Sequence, residues 1–152
     1  MDEDIDDLLK QIRANGDEVW IAGPPPEKAV AELERALHIR MPPSYRAFLL
    51  RFGGMGVAGS TISGILENEP LGKGTGWVYG DTLRAREESQ LPKHLLVIQA
   101  DEDAPYCLDT SAADDDEEFP LVCYELDTQY VSRLADNFGA WFLEWLQLQA
   151  EE

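Results

Sequence analysis

Apolar residues in the first third of the chain recur every three or four positions, which is the period of an α-helix. Three such stretches follow one another, and each presents one apolar face that favours burial. The faces consist of Ile5, Leu8, Leu9 and Ile12, then Val30, Leu33 and Leu37, then Tyr45, Phe48, Leu49 and Phe52. The pattern therefore predicts three amphipathic helices in this part of the chain.

Proline and glycine mark where these helices begin and end. Asn15-Gly16 ends the first helix, and Pro24–Pro26 before an acidic residue is typical of a helix start. Pro42-Pro43 stops the second helix, and Gly53-Gly54 supplies a left-handed cap after the third. We expect a short third helix that inserts four large side chains into the core, and an extended link over residues 18–23.

After Gly56 the pattern changes to short apolar runs between turn residues, which is typical of β-strands. The predicted strands span residues 61–66, 76–80, 95–100, 105–109, 119–126 and 129–132. The glycine-rich segment 71–76 is predicted to be a mobile loop, and the polar segment 81–90 a surface helix. A final amphipathic helix is indicated by Leu134, Phe138, Trp141, Phe142, Trp145 and Leu148.

Helices first, strands in the middle and a helix last predict an α+β fold. We expect a mixed, mostly antiparallel sheet of about five or six strands, with the N-terminal helices and the C-terminal helix packed on it. A length of 152 residues favours a single domain over residues 1–152, and the 44% hydrophobic content is enough for a core.

The chain has the features of a cytoplasmic protein. No apolar run approaches the roughly 18 residues of a membrane span, and the acidic, amphipathic start differs from a secretory signal. Cys107 and Cys123 lie in strand-like runs and are interpreted as reduced core residues, although their spacing leaves a disulfide open.

The formal net charge of −18 argues against direct binding to nucleic acid or to anionic membranes, because both attract positive charge. It fits a basic protein partner, and solubility alone is the other explanation. Residues 24–52 contain five Lys or Arg and three Asp or Glu, whereas residues 94–132 contain eleven Asp or Glu and no Lys or Arg. The predicted strand region therefore carries the negative field.

The acidic residues of this region form two groups if the strands make an antiparallel meander, because successive turns then alternate between the ends of the sheet. Five-residue strands separate the ends by about 17 Å, which exceeds the screening length of about 8 Å at physiological salt. Either group can face a basic partner. The candidate partner-binding residues are Asp101, Glu102, Asp103 and Asp127 at one end, and Asp114, Asp115, Asp116, Glu117 and Glu118 at the other.

The group within residues 110–118 is favoured as the interface because it is longer and more highly charged. Five consecutive carboxylates with no base nearby in the sequence repel one another and predict a mobile, solvated loop. We therefore expect that neutralising all five leaves folding intact or slightly improved.

The segments of this chain that resemble catalytic or cofactor-binding motifs do not match the full motif. The Gly-Lys-Gly at 72–74 lacks the flanking residues of a phosphate-binding loop, and residues 101–109 lack the spacing of a calcium loop. We predict no catalytic residue, no cofactor and no metal site. The alternative from another class of function is a divalent-metal hydrolase built on Asp101, Asp103 and Asp109. No histidine lies close to these three aspartates in the sequence.

The segment from Leu37 to Leu49, "LHIRMPPSYRAFL", is similar to a motif of the SUKH superfamily, Leu-Gly-x-x-Leu-Pro-x-x-Tyr-x-x-Phe-Leu followed by a glycine pair. His38 replaces the glycine of that motif, and Met41 replaces its second leucine. The later segments "LVIQADEDAPYCLDTS", "FPLVCYELD" and "LADNFGAWFLEWL" resemble the strands and closing helix of the same superfamily. The resemblance extends from about residue 18 to residue 148.

The resemblance implies a binding protein rather than an enzyme. The superfamily includes the yeast regulator of cell-wall glucan synthesis and many bacterial immunity proteins, which neutralise toxin domains that are often nucleases or other nucleic-acid-modifying enzymes. The resemblance implies that the chain is an immunity protein whose partner is a basic toxin domain. The alternative is a non-catalytic regulator or scaffold that binds another protein. The matched residues are interpreted as structural because they lie on apolar faces: Tyr45, Phe48, Phe138 and Trp141.

Overall fold

The computed structural model describes residues 2–151, which contain five helices and seven strands. The helices are α1 (Asp2–Ala14), α2 (Glu27–Leu37), α3 (Pro43–Phe52), α4 (Val78–Ser89) and α5 (Phe138–Ala150). The strands are β1 (Val19–Ile21), β2 (Met55–Val57), β3 (Ser60–Ile62), β4 (Leu95–Gln99), β5 (Tyr106–Asp109), β6 (Leu121–Tyr124) and β7 (Val131–Ala135). The α+β class is confirmed, with helices at both ends of the chain as predicted.

The strands form two antiparallel sheets, one of β1-β2-β3 and one of β4-β5-β6-β7 in the predicted meander. The sheets meet where the Ser63 backbone N–H donates to the Ile98 carbonyl oxygen at 2.8 Å. Beside that bond, the Gln99 side-chain amide donates to Ser60 Oγ at 3.1 Å. We call this edge-to-edge junction between β3 and β4 the seam.

Several segments differ from the sequence interpretation. Leu134, predicted in the final helix, lies in β7. Residues 76–80, predicted as a strand, contain the start of α4, and the Val78 N–H donates to the Gly64 carbonyl at 2.9 Å. Residues 18–23, predicted as a link, contain β1, in which Trp20 lies opposite Gly56 of β2. A Cβ on Gly56 would lie 2.0 Å from the Trp20 indole nitrogen, so the Trp20 ring can occupy this position only because residue 56 is glycine, which a hydropathy pattern does not reveal.

The four-stranded sheet is covered on both faces, because successive side chains along a strand point to opposite sides. One face packs into the main core with α1, α2, α3 and α5, through Leu96, Ile98, Leu108 and Leu121. The other face packs against α4 in a second cluster that contains Leu95, Val97, Cys107, Val122 and Tyr124.

Cys107 and Cys123 lie on opposite faces of this sheet. Cys107 pairs with Val122, and both belong to the second cluster, whereas Cys123 pairs with Tyr106, which packs against the main core. A disulfide would have to pass through the sheet, and both residues are free cysteines. Cys107 is buried in the core as predicted, whereas Cys123 is half-buried. Burial raises the pKa of the Cys107 thiol to about 12.

Helix α3 inserts its predicted apolar face into the main core. The ring centroid of Phe48 lies 5.1 Å from that of Phe138 and 5.2 Å from that of Phe142, in edge-to-face contacts. The Tyr45 hydroxyl donates to the Ser63 carbonyl oxygen at 2.6 Å. One short helix therefore connects α5 to the seam between the sheets.

Candidate partner-binding surface

Two turns bring the first acidic group together at one end of the meander. The turn between β4 and β5 carries Asp101, Glu102 and Asp103, and the turn between β6 and β7 carries Asp127. The Leu126 N–H donates to the Asp103 carbonyl at 2.9 Å, which ties the two turns to each other. All four carboxylates are exposed, so a partner can reach them directly.

The second acidic group, at the other end of the meander, forms a hydrogen-bonded turn. Asp114 Oδ1 accepts from the N–H groups of Asp116 at 2.8 Å and Glu118 at 3.0 Å. The Glu117 N–H donates to the Asp114 carbonyl at 3.0 Å. Backbone donors therefore offset the repulsion from which a mobile loop was predicted, and one of the five carboxylates is used inside the turn.

Glu118 differs from the rest of the group because it is buried, with 9% of its surface exposed. Its carboxylate accepts from the N–H and the hydroxyl of Ser44, each at 2.9 Å, at the start of α3. Ser44 Oγ in turn accepts from the Gly139 N–H at the start of α5, at 3.0 Å. The prediction that the whole run is solvated is therefore wrong for Glu118. Its carboxylate accepts from donors at the start of α3 and orients the Ser44 hydroxyl, which accepts from a donor at the start of α5.

A base does lie near this run, although it is distant in sequence. Arg40, in the link between α2 and α3, forms an ion pair with Glu117 at 3.3 Å, and both side chains are well exposed. Asp115 and Asp116 remain at the surface. The second end thus presents fewer carboxylates to a partner than the sequence count indicates.

The structure does not bring together the three carboxylates of the hydrolase alternative. Asp101 and Asp103 lie before β5, whereas Asp109 is its last residue and accepts from the Ser111 hydroxyl at 2.6 Å. Three residue steps along a strand span about 10 Å. Within residues 2–151, no group of three or more His, Cys, Asp or Glu side chains is placed to hold a metal ion.

A cleft that the sequence analysis did not identify adjoins the first acidic group. It has two lobes of about 390 and 460 Å³, within the range of roughly 300–1,000 Å³ that is usual for ligand sites. The lobes lie beside the seam and α4, and both are lined by Thr75, Asp81, Ala100 and Asp101. We call this feature the seam cleft.

Asp81 forms the buried floor of the seam cleft, with 4% of its surface exposed. Its Oδ2 accepts from the Ser63 hydroxyl at 2.6 Å and from the Gly76 N–H at 3.2 Å, and its Oδ1 pairs with Arg84. These partners offset the cost of burying a carboxylate. The only sequence signal was an acidic residue in the first turn of a helix after a glycine-rich segment, which is also the pattern of a solvated helix start.

Thr75 and Gly76, at the end of the glycine-rich segment 71–76, line the cleft, and this segment is anchored rather than loose. The Trp77 indole N–H donates to the Glu69 carbonyl at 2.9 Å, and Arg84 Nη1 donates to the Lys73 carbonyl at 2.9 Å. The first contact joins the two flanks of the segment predicted to be mobile, and the second holds its middle.

Comparison with known proteins agrees with this fold. A family model described as SMI1-KNR4 cell-wall matches residues 5–147. The crystal structure of a protein from Pseudomonas syringae pv. tomato is similar, with a TM-score of 0.56 and 20% identity over 80% of this chain and 82% of that chain. No curated protein matches the chain.

At 20% identity the solved structure supports the fold alone, whereas the family match spans nearly the whole chain. The described helices include none with the length and apolar character needed to cross a bilayer. The family is one of generally non-catalytic immunity and regulatory proteins. The chain belongs to the SUKH family, whose matching model is described as SMI1-KNR4 cell-wall.

Proposed function

We propose that this chain is an intracellular immunity protein that binds and neutralises a toxin domain encoded beside it. The toxin domain is a nuclease or another enzyme that modifies nucleic acid. Family membership supports a role in binding a protein, and the observation that carries the proposal is the set of exposed carboxylates at both ends of the four-stranded sheet. The immunity protein acts by occlusion and contributes no catalytic residue.

Charge explains why such a partner fits. An enzyme that acts on nucleic acid needs a basic surface to hold phosphates, and that surface attracts a chain of net charge −18. Complementary charge speeds association, which matters for a protein that must capture a toxin before it reaches its substrate. The candidate contacts are the exposed members of the two acidic groups, and Glu118 serves by holding its turn in place.

Expression of the neighbouring toxin domain, with and without this chain, tests the proposal. We expect co-expression to restore growth and the two proteins to co-purify as a stable complex. A control chain with Phe48→Ala, which disrupts the core, should protect less. Absence of both rescue and complex formation with the cognate domain would contradict the immunity function.

A regulatory or scaffold role is the second candidate, because the matching family model carries the description SMI1-KNR4 cell-wall. Deletion of the gene in a strain that also lacks the toxin gene separates the two functions. A growth or envelope defect in that background favours regulation, whereas the immunity function predicts none.

A further inference from the structure

The seam cleft is a preorganised concavity rather than a gap between mobile loops. Its floor, Asp81, has three partners, and one wall is anchored by Arg84. Thr75 lines both lobes, and Tyr106 lines one of them. The Tyr106 ring is itself held edge-on against Trp141, with centroids 6.1 Å apart. Polar groups held in place by such contacts favour a specific contact with a partner.

The charges around the cleft select the sign of its occupant. The second lobe is lined by Glu88, Glu102 and Asp101, whose carboxylates are exposed. Among the described residues that line this lobe, Arg84 provides the guanidinium, which already pairs with Asp81 and donates to a backbone carbonyl. The uncompensated charge is therefore negative, so the lobe repels an anion and attracts a cation.

We infer that the seam cleft receives a lysine or arginine side chain of the toxin domain, an inference that rests on the proposed function. The carboxylates of Asp101 and Glu102, which line the second lobe, pair with the cationic head. The first acidic group thus provides the specific contact. The opposite end, where Glu118 and Asp114 serve the fold, provides long-range attraction.

Binding measurements with the catalytically inactive toxin domain test the inference. Asp101→Asn combined with Glu102→Gln removes two charges at the cleft, and the asparagine retains the oxygen that accepts from the Asp103 N–H. We expect the Kd to rise by about tenfold or more, mainly through faster dissociation. The matched control, Glu32→Gln with Glu144→Gln, removes two exposed charges from α2 and α5 and should change the Kd by less than about threefold.

A second variant tests whether occupying the cleft with a cation of the chain's own blocks binding. Thr75 is exposed and lines both lobes, so Thr75→Arg supplies a cation from the chain itself. We expect this variant to keep the wild-type melting temperature and to weaken binding by about tenfold. Unchanged affinity would overturn the inference, because a filled cleft cannot accept a second side chain.

Substitution of each lysine and arginine of the toxin domain by alanine identifies the occupant. One of these substitutions should weaken binding to the wild-type chain strongly. The same substitution should weaken binding to the Asp101→Asn, Glu102→Gln variant only a little, and this difference is the coupling that a double-mutant cycle measures. Additive effects at every basic residue would overturn the inference while leaving the proposed function intact. A wild-type chain that fails to bind the toxin domain would overturn both.

Discussion

Glu118 shows at the scale of one residue how position in the fold overrides composition. Replacing it by alanine leaves the Ser44 N–H and hydroxyl at the start of α3 without their acceptor. We expect the free energy of unfolding to fall by about 1–3 kcal/mol in urea melts. Asp115→Asn, on the exposed part of the same turn, should stay within about 0.5 kcal/mol of wild type. Equal effects of the two changes would mean that the Glu118 carboxylate is solvated.

His38 occupies a backbone conformation that suits glycine. It is the residue after the last residue of α2, and its backbone has φ 58° and ψ 40°, in the left-handed region. The family motif has glycine at this position. Glycine at this position would relieve about 1–2 kcal/mol of backbone strain in the folded chain. It would also make the unfolded chain more flexible, which costs about 0.4–1 kcal/mol of stability, so a small net gain remains. His38→Gly should therefore stabilise the protein by about 0.5–1 kcal/mol in thermal melts. His38→Ala keeps the strain, and stabilisation equal to that of glycine would refute this explanation.

Cys107 makes stability depend on pH in the alkaline range. Burial raises its pKa from 9.0 to about 12, so the folded chain keeps a proton that the unfolded chain loses. Its contribution to stability is complete below pH 9 and is lost as the pH rises toward 12, by about 1.4 kcal/mol per pH unit. Cys107→Ala should remove that slope from urea melts at increasing pH. The pKa of Tyr45, which burial also raises, adds a slope of the same sign in both proteins, so the difference between them is the measurement. Coincident slopes would mean that the thiol ionises in the folded chain.

Helix α3 is the element on which the main core depends. Phe48 contacts the aromatic rings of Phe138 and Phe142 in α5, and its removal leaves a cavity between the two helices. Phe48→Ala should lower the free energy of unfolding by about 3–5 kcal/mol in urea melts. Ala47→Ser on the exposed side of the same helix serves as the control. A loss below about 1 kcal/mol for Phe48→Ala would contradict its burial.

At the scale of the whole molecule, the second acidic end is expected to act on the rate of encounter. Neutralising Asp115 and Asp116 removes exposed charge that steers a basic partner, without touching the seam cleft. Association with the toxin domain, measured by stopped flow, should slow at low salt, and the effect should shrink as salt rises. Dissociation should change little. Identical association rates for the wild type and the variant at both salt concentrations would assign these acids to solubility alone.

The sequence by itself determined the elements whose cause is local. The helices α1, α2, α3 and α5 follow from apolar residues at helical spacing between proline and glycine boundaries, and the meander follows from short apolar runs between turns. The two acidic groups at its ends follow from the alternation of antiparallel turns. Each of these inferences uses residues within a few positions of one another.

Only the tertiary structure decided the features that join distant parts of the chain. Glu118 reaches Ser44 and Gly139, and Arg40 reaches Glu117, across separations that no local pattern encodes. The division into two sheets and the seam cleft depend likewise on where β3 meets β4 and on the buried partners of Asp81. A carboxylate is solvated or structural according to the donors that folding brings to it, and those donors come from elsewhere in the sequence.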